Sequence, residues 1–267
     1  MHDSIISWNA RSLETCRNPG KKGSLLELIK SVEPSIILIQ ESGKLDKYNY
    51  FTGYQKPIIS EQCVKNRNVM TVFREGIHYT VIENQNRPFG AWQTFKVHIS
   101  ANNDTAFYLT NIYLAGNTNA SDFEEVESLF DRYQFERFII SGDINAKHKS
   151  WDRSCVIPNG NGTKLSNIID KYDYITLNTG EHTRIAEVEG HLNSAIDLTI
   201  VSGSLFSNNL SWEMHNDAMG SDHKPQLIHM YNEDIVNDYA PSLKITYKTD
   251  QADPDKVRSC FRIHGFS

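Results

Sequence analysis

The chain has 267 residues, 39% of them apolar and 22% charged, a globular composition that excludes disorder, collagen and coiled coil and a length that fits one large domain plus a tail. Its four cysteines lie far apart and form no C-x-x-C pair, which argues against a zinc ribbon or a disulfide framework and suits a reducing compartment. The net charge of −6 disfavours a nucleic-acid partner at face value, yet residues 122–137 alone hold six acids and two bases, and outside this stretch and four acids of the motifs below the remainder is mildly basic.

The start, MHDSIISWNA, has neither a basic region nor an apolar core, so no secretory signal is expected. The longest aliphatic runs, Ile36–Ile39 and Phe138–Ile140, are far too short to span a membrane, and the chain reads as soluble and intracellular. In chain order, strands are expected over Ser4–Trp8, Ser35–Gln40, Val69–Phe73, Gln93–Ile99, Phe107–Tyr113, Phe138–Ser141, Ile196–Val201 and Gln226–Met230. Helices are expected over Lys22–Val32, Asp122–Tyr133 and Thr163–Tyr172. In the first helix Leu25, Leu26, Leu28, Ile29 and Val32 form one stripe, which Glu33-Pro34 ends. Ser121, with Glu124 three residues on, has the pattern of a capping box for the second. No internal repeat or low-complexity segment is visible. Strands outnumber helices and several are adjacent, which implies two packed sheets with helices outside rather than one doubly wound sheet. Past residue 231 the apolar pattern decays, giving a domain over 1–231 and a polar tail or linker over 232–267.

Each strand end carries a polar residue that a core strand has no packing reason to keep. Asn9 follows SIISW, Glu41 follows IILIQ, Tyr113 follows NI, Asp143 and Asn145 follow FIISG, Asp197 lies in AIDLTI, and Asp222-His223 close GSDH. Any one of these is ordinarily a turn or cap residue. Their joint occurrence, four carboxylates with two asparagines, a tyrosine and a histidine, points to a site built where strand ends open on a cleft. Lys147, His148, Lys149 and Arg153 form a basic cluster just after Asp143, suited to phosphate contact, although His148 and Trp151 read as local packing. The other histidines show no metal-ligand spacing.

The ordered set SWNARSL, LIQES, NIY, SGDINA, AIDLTI and GSDH resembles the endonuclease/exonuclease/phosphatase superfamily. GDINAKHKSW and the stretch LNTGEHTR…SAIDLTIVSGSL…GSDHKP are similar to the endonuclease domain of non-LTR (LINE-type) retrotransposons of the jockey and I-like kinds. The tail KITYKTDQADPDKVRSCF resembles the segment that joins such a domain to a reverse transcriptase. Two residues depart from the pattern, Ile144 in place of Phe and Asp152 in place of Gly.

The resemblance implies a DNase-I-like α/β (α+β) four-layer sandwich, two packed mixed β-sheets flanked by helices. It implies a DNA endonuclease that needs Mg²⁺, or Mn²⁺, and nicks target DNA to leave a 3′-hydroxyl for reverse transcription. Glu41 is then the first metal ligand, with Asn9 and Asp222 beside it or acting through water. His223 pairs with Asp197 and serves either as general base or as an electrostatic clamp on the phosphate. Asp143 positions the nucleophile or protonates the leaving group, Asn145 orients water or a phosphate oxygen, and Tyr113 hydrogen-bonds the phosphate. DNA contacts fall to Thr183, Ser194, Ser221, Arg184 and Lys147, Thr183 and Ser194 either contacting phosphate or shaping the site, with Glu181–His191 as a loop beside the duplex. The implied partners are double-stranded DNA and a reverse transcriptase domain of the same polyprotein, with no membrane, acting in the nucleus. The competing readings are an abasic-site repair endonuclease, a phosphatase of inositol lipids or sphingomyelin, and a non-catalytic binding module of the same fold.

Overall fold

The continuous apolar runs read from the sequence become the inner strands of two sheets that are covered on both faces. The computed structural model describes residues 2–13, 20–43, 51–60, 67–98, 106–187, 192–206 and 210–231, all within the unit Met1–Ile235; the expected tail over 232–267 lies outside them. In chain order the elements are β1 (His2–Asn9), α1 (Lys21–Val32), β2 (Ile36–Gln40), β3 (Ile58–Ile59), β4 (Val69–Phe73), β5 (His78–Arg87), β6 (Gly90–His98) and β7 (Ala106–Leu114). They continue with α2 (Ala120–Tyr133), β8 (Phe138–Asp143), α3 (Gly160–Lys171), β9 (Tyr174–Thr176), β10 (Asp197–Ser202), α4 (Gly203–Phe206), β11 (Leu210–Met214) and β12 (Gln226–Tyr231). No helix among the described residues is long and apolar enough to cross a membrane.

One sheet runs β11-β12-β1-β2-β4-β3 and the other β5-β6-β7-β8-β10-β9. Each is mixed, with a single parallel pair near its centre: β1 with β2, and β7 with β8. A parallel pair needs a crossover, here supplied by α1 and α2. The layers follow from period-two burial. Ile5, Ile36 and Leu38 of one sheet meet Phe95, Leu109 and Ile139 of the other in the central core. Ile6, Ile37 and Ile39 turn the other way, against Leu25, Leu28 and Ile29 of α1. Ile112, Ile140 and Ile200 turn outward against Phe123, Val126 and Phe130 of α2 and Leu165 of α3. The architecture is the expected four-layer sandwich of two mixed sheets flanked by helices.

Several expectations are corrected. Asn119, not Ser121, caps α2: its side-chain oxygen accepts from Asp122 N at 2.8 Å, and the Ser121 hydroxyl inside the helix donates to that same oxygen at 2.9 Å. Helix α3 begins at Gly160 rather than Thr163, because Asn159 accepts from Gly162 N at 2.8 Å; the N-G-N-G run that looks like a loop is a cap and first turn. Gly162 is required there, since a Cβ would lie 1.9 Å from Lys147 O. Strands β3, β5, β9 and β11 were not expected. In β5, HYTVIENQNR, half of the residues are exposed and none is buried, and its pairing to β6 overrides a sequence with little apolar signal.

Between the sheets runs a buried polar seam. Gln40 Nε2 donates to Asn111 Oδ1 at 2.8 Å, Asn111 Nδ2 donates to Met70 O at 2.9 Å, and the Thr71 hydroxyl donates to Gln93 Oε1 at 2.9 Å. Thr199 Oγ1 and Trp212 Nε1 both donate to Gln226 Oε1 at 2.9 Å. Such a network fixes how the two sheets face each other, because a shift leaves buried polar groups unpaired.

Gly142 has φ +149°, and a Cβ there would lie 1.9 Å from Ile112 O on the paired strand β7. Gly142→Ala is therefore expected to destabilise the protein by about 3 kcal/mol. Urea unfolding checks this; an unchanged midpoint would mean that β7 and β8 separate easily.

Candidate active site

The two parallel pairs deliver side chains to a common edge. β1 ends in Asn9 and β2 leads to Glu41; β7 carries Tyr113 near its end and β8 ends in Asp143. Glu41 sits at φ +49° and Asn145 at φ +50°, a left-handed conformation that costs a non-glycine residue and clusters at functional sites. Local bonds fix both turns. Glu41 N donates to Asn68 O at 2.8 Å, and Asn145 N donates to Asp143 Oδ1 at 3.0 Å. The α3 cap holds the second turn from below, Asn159 Nδ2 donating to Asn145 O at 2.7 Å.

Asn9, fully buried, joins the two halves. Its Nδ2 donates to Glu41 Oε1 at 2.9 Å and to Asp143 Oδ2 at 2.8 Å, while its Oδ1 accepts from Arg11 N at 3.0 Å. One nitrogen thus keeps two like-charged carboxylates side by side.

Against Asp143 stands a hydrogen-bonded pair. His223 Nδ1 lies 2.8 and 2.9 Å from the Asp197 oxygens, which assigns the proton on Nδ1 to that bond and turns Nε2 outward. Asp197 is held in turn by Thr183, whose hydroxyl donates to Oδ2 at 2.6 Å and accepts from Ile196 N and Asp197 N. Trp8 Nε1 donates to His223 O at 2.9 Å, and Ser221 Oγ links His223 N to Asn9 O. Ligand atoms of Asp143, Asp197 and His223 lie within 4.8 Å of one another.

Electrostatics follow from this crowding. Burial, then the charge of Asp197, pushes Asp143 up to about 8, against the pull of His223 and the Asn9 hydrogen bond. Burial lowers His223, but the charge and hydrogen bond of Asp197, with Asp143 and Asp222, outweigh it and raise it to about 9. Burial, with the charges of Glu41 and Asp143, pushes the Tyr113 phenol far up, so it remains a hydrogen-bond donor.

Solved structures share this architecture. The endonuclease domain of TRAS1, a telomere-specific non-LTR retrotransposon, superposes with a TM-score of 0.66 over 86% of this chain and 98% of that one, at 16% identity. The AP endonuclease LMAP from Leishmania major does so with a TM-score of 0.68 over 86% and 88%, at 15% identity; at these identities the likeness is one of fold. Residues 107–227 match the endonuclease-reverse transcriptase family model. Within this matched segment lie Tyr113, Asp143, Asn145, Asp197 and His223. The probable RNA-directed DNA polymerase from transposon BS of Drosophila melanogaster is 30% identical over 118 residues, 43% of this chain but only 12% of that protein.

Several residues expected in the site lie elsewhere in it than anticipated. Asn9 turns its nitrogen to Glu41 and Asp143 and so spaces the two carboxyl groups. Asp222, expected as a ligand, accepts a hydrogen bond at Oδ2 from Arg184 Nε at 2.9 Å, while its buried Oδ1 lies in ion-pair contact 3.0 Å from Arg11 Nη1 without a hydrogen-bond partner among the described residues. Burial opposes its charge, yet His223, Arg11 and Arg184 hold its carboxyl below the usual range. Thr183 and Ser194, expected to contact phosphate or shape the site, are both buried, and Thr183 holds Asp197. Ser221 uses its hydroxyl inside the site, as described. Lys147 and Arg184 keep partly exposed side chains. The expected loop over Glu181–His191 is closed by the Arg184–Ser194 backbone pair; residues 188–191 lie outside the described residues. Asp152, the departure from pattern, is buried and accepts from Ala195 N at 3.0 Å, so it anchors the chain just before Asp197. The Trp151 indole donates to Ala146 O at 2.9 Å and its ring lies 5.1 Å from that of His148, the local packing expected. Sequence reading missed Arg11, Lys21 and Glu187. Arg11 stands two residues after Asn9, but nothing in the sequence announces its left-handed turn.

Thr183→Val should cost about 1–3 kcal/mol, because it leaves a buried carboxylate oxygen and two N–H groups without their partner, and should lower any activity that depends on Asp197. Thr183→Ser should restore most of both. Urea unfolding and a turnover assay on the three proteins check this.

Proposed function

We propose that this chain is a Mg²⁺-dependent DNA endonuclease domain of a non-LTR retrotransposon, nicking one strand of target DNA by phosphodiester hydrolysis to leave a 3′-hydroxyl that primes reverse transcription. The observation that carries this reading is that Asn9 Nδ2 holds Glu41 and Asp143 together while the Asp197–His223 pair stands against Asp143. The donor chemistry fits a hard cation, since Mg²⁺ takes one or two carboxylates and otherwise water and phosphate oxygens. Glu41, with Asp143 beside it, would hold the ion, and a bound divalent cation supplies charge neutralisation on the phosphoryl oxygens and support for the leaving oxygen.

The remaining chemistry belongs to the chain. A raised His223 carries a proton at neutral pH, which favours a clamp: Nε2 donates to a phosphoryl oxygen and stabilises the charge that builds in the transition state. Asp143, within reach of the same region, is the group suited to take a proton from water in its ionised form, which a cation held beside it would favour. Tyr113 donates to the phosphate, and Asn145 is fixed by its bond to Leu114 O at 2.8 Å to orient water or a phosphate oxygen. This reading places the work in the nucleus, on double-stranded DNA, with a reverse transcriptase domain in the same polyprotein.

The test is relaxation of supercoiled plasmid by the wild-type chain and by His223→Ala, each with Mg²⁺ and with EDTA. Nicking by wild type alone, and only with Mg²⁺, is expected. Preferential cutting of a duplex with one abasic site over the intact duplex would replace the retrotransposon reading with the repair reading. No nicking in any arm would sink both.

A further inference from the structure

We propose that Arg11 binds a backbone phosphate of the cleaved DNA strand, and that Glu187 is a temporary occupant of its guanidinium which the phosphate displaces. The inference rests on the endonuclease reading and deepens it.

The backbone of Arg11 is bolted to the site. It sits at φ +44°, donates its N–H to Asn9 Oδ1, and is followed by Ser12, whose N–H donates to Glu41 O at 2.6 Å. The buried Lys21 ammonium donates to Ala10 O at 2.7 Å from the other side. A left-handed turn on a non-glycine residue, held by three such contacts, presents the side chain from a rigid base.

The guanidinium itself has two partners of opposite character. Nη1 lies 3.0 Å from Asp222 Oδ1 and 2.9 Å from Glu187 Oε2; the side chain of Asp222 is 1% exposed, that of Glu187 62% and that of Arg11 45%. Asp222 is therefore the fixed anchor, shared with Arg184. Glu187 is the weak one, since an exposed ion pair is screened by solvent and adds little. Two guanidiniums against one buried carboxylate leave one positive charge, which Glu187 cancels in the free protein and which a phosphate diester, of the same charge, would cancel in the complex. Planar guanidinium suits a phosphate better than a point charge does. The location fits as well, because Asp222 Oδ1, the oxygen paired with Arg11, lies 3.7 Å from His223 Nε2. Arg11 is thus one carboxylate oxygen away from the outward nitrogen of the dyad.

The test is binding of a short fluorescent duplex by the full chain in EDTA, followed by anisotropy across a salt series. Arg11→Gln is expected to weaken binding about tenfold and to flatten the log–log salt slope by about 1, the signature of one lost phosphate contact. Glu187→Gln is expected to tighten binding about 3–10-fold, and to give no gain when Arg11→Gln is already present. An unchanged slope in Arg11→Gln overturns the proposal, as does an equal gain from Glu187→Gln in both backgrounds, which would be a general charge effect. If Arg11→Gln does not fold, Arg11→Lys replaces it, and wild-type affinity in the exposed Glu187→Gln variant alone is enough to reject the idea. A wild-type chain that neither binds nor nicks DNA fails the endonuclease reading itself, a result distinguishable because every variant is then silent.

Discussion

Asp197→Asn is expected to lower plasmid nicking about 10²–10⁴-fold with little change in the fold. The amide keeps the shape of the carboxylate, so Thr183 and the strand pairing of β10 to β8 have no reason to move. What changes is the partner of His223 Nδ1. An asparagine cannot hold an imidazolium by charge, and its NH₂ end competes for the same position. His223 then loses both its fixed tautomer and the main cause of its raised proton affinity. The same substitution has a signature in stability that a packing defect would not produce. In EDTA, a histidine raised from 6.5 to about 9 stabilises the folded state fully below pH 6.5, and that contribution is lost as pH rises through about 9. Asp143, raised from 3.8 to about 8, acts in the same direction: the folded state holds a proton that the unfolded chain has released, so stability also falls as pH rises toward 8. Wild-type stability in urea should therefore decline from neutral to pH 9, and Asp197→Asn should flatten that decline. A parallel decline in both proteins would mean that the Asp197–His223 pair does not govern the proton.

Glu41→Gln is expected to lower Mg²⁺-dependent nicking about 10²–10³-fold, the scale of losing one charge-stabilising group at a transition state, and to raise the Mg²⁺ concentration needed for what remains. In EDTA the same variant should be slightly more stable than wild type. Glu41 is a half-buried carboxylate that shares a hydrogen-bond donor with Asp143 and adds to its discomfort, so neutralising it relieves repulsion without making a cavity. Activity falling while stability rises is the mark of a group kept for chemistry. A loss of both would recast Glu41 as a structural residue.

Much of this was legible in the sequence, for a physical reason. Runs such as IILIQ and FIISG are apolar on both faces because helices cover one side and the second sheet the other, so the polar residues at their ends stand out. The structure brings Asn9, Glu41, Asp143, Asp197 and His223 to one edge. What a sequence does not display is which end of an amide faces a site. Asn9 reads only as a residue beside the metal or acting through water, and the bond from Arg11 N to its Oδ1 is what turns its nitrogen toward the carboxyl groups. Thr183 and Ser194 sit in a polar stretch and look exposed, but the chain folds over them. Arg11 and Glu187 are 176 residues apart, a pairing that no local pattern records. The seam of Gln40, Gln93, Asn111 and Gln226 escaped notice because polar residues inside strands read as interruptions of a core, whereas here they bond across it.

The strand register carries a consequence of its own. Ala91 pairs with Tyr113, Tyr113 with Asp143, and Asp143 with Asp197, so three residues of the candidate site occupy one rung across β7, β8 and β10. Side chains alternate faces along a strand, and a slip of one residue sends each group to the opposite face. A chain whose β8 settled one place out of step would lose its Asp143 from the rung altogether. It would keep a sheet but lose the carboxyl group that Asn9 holds beside Glu41.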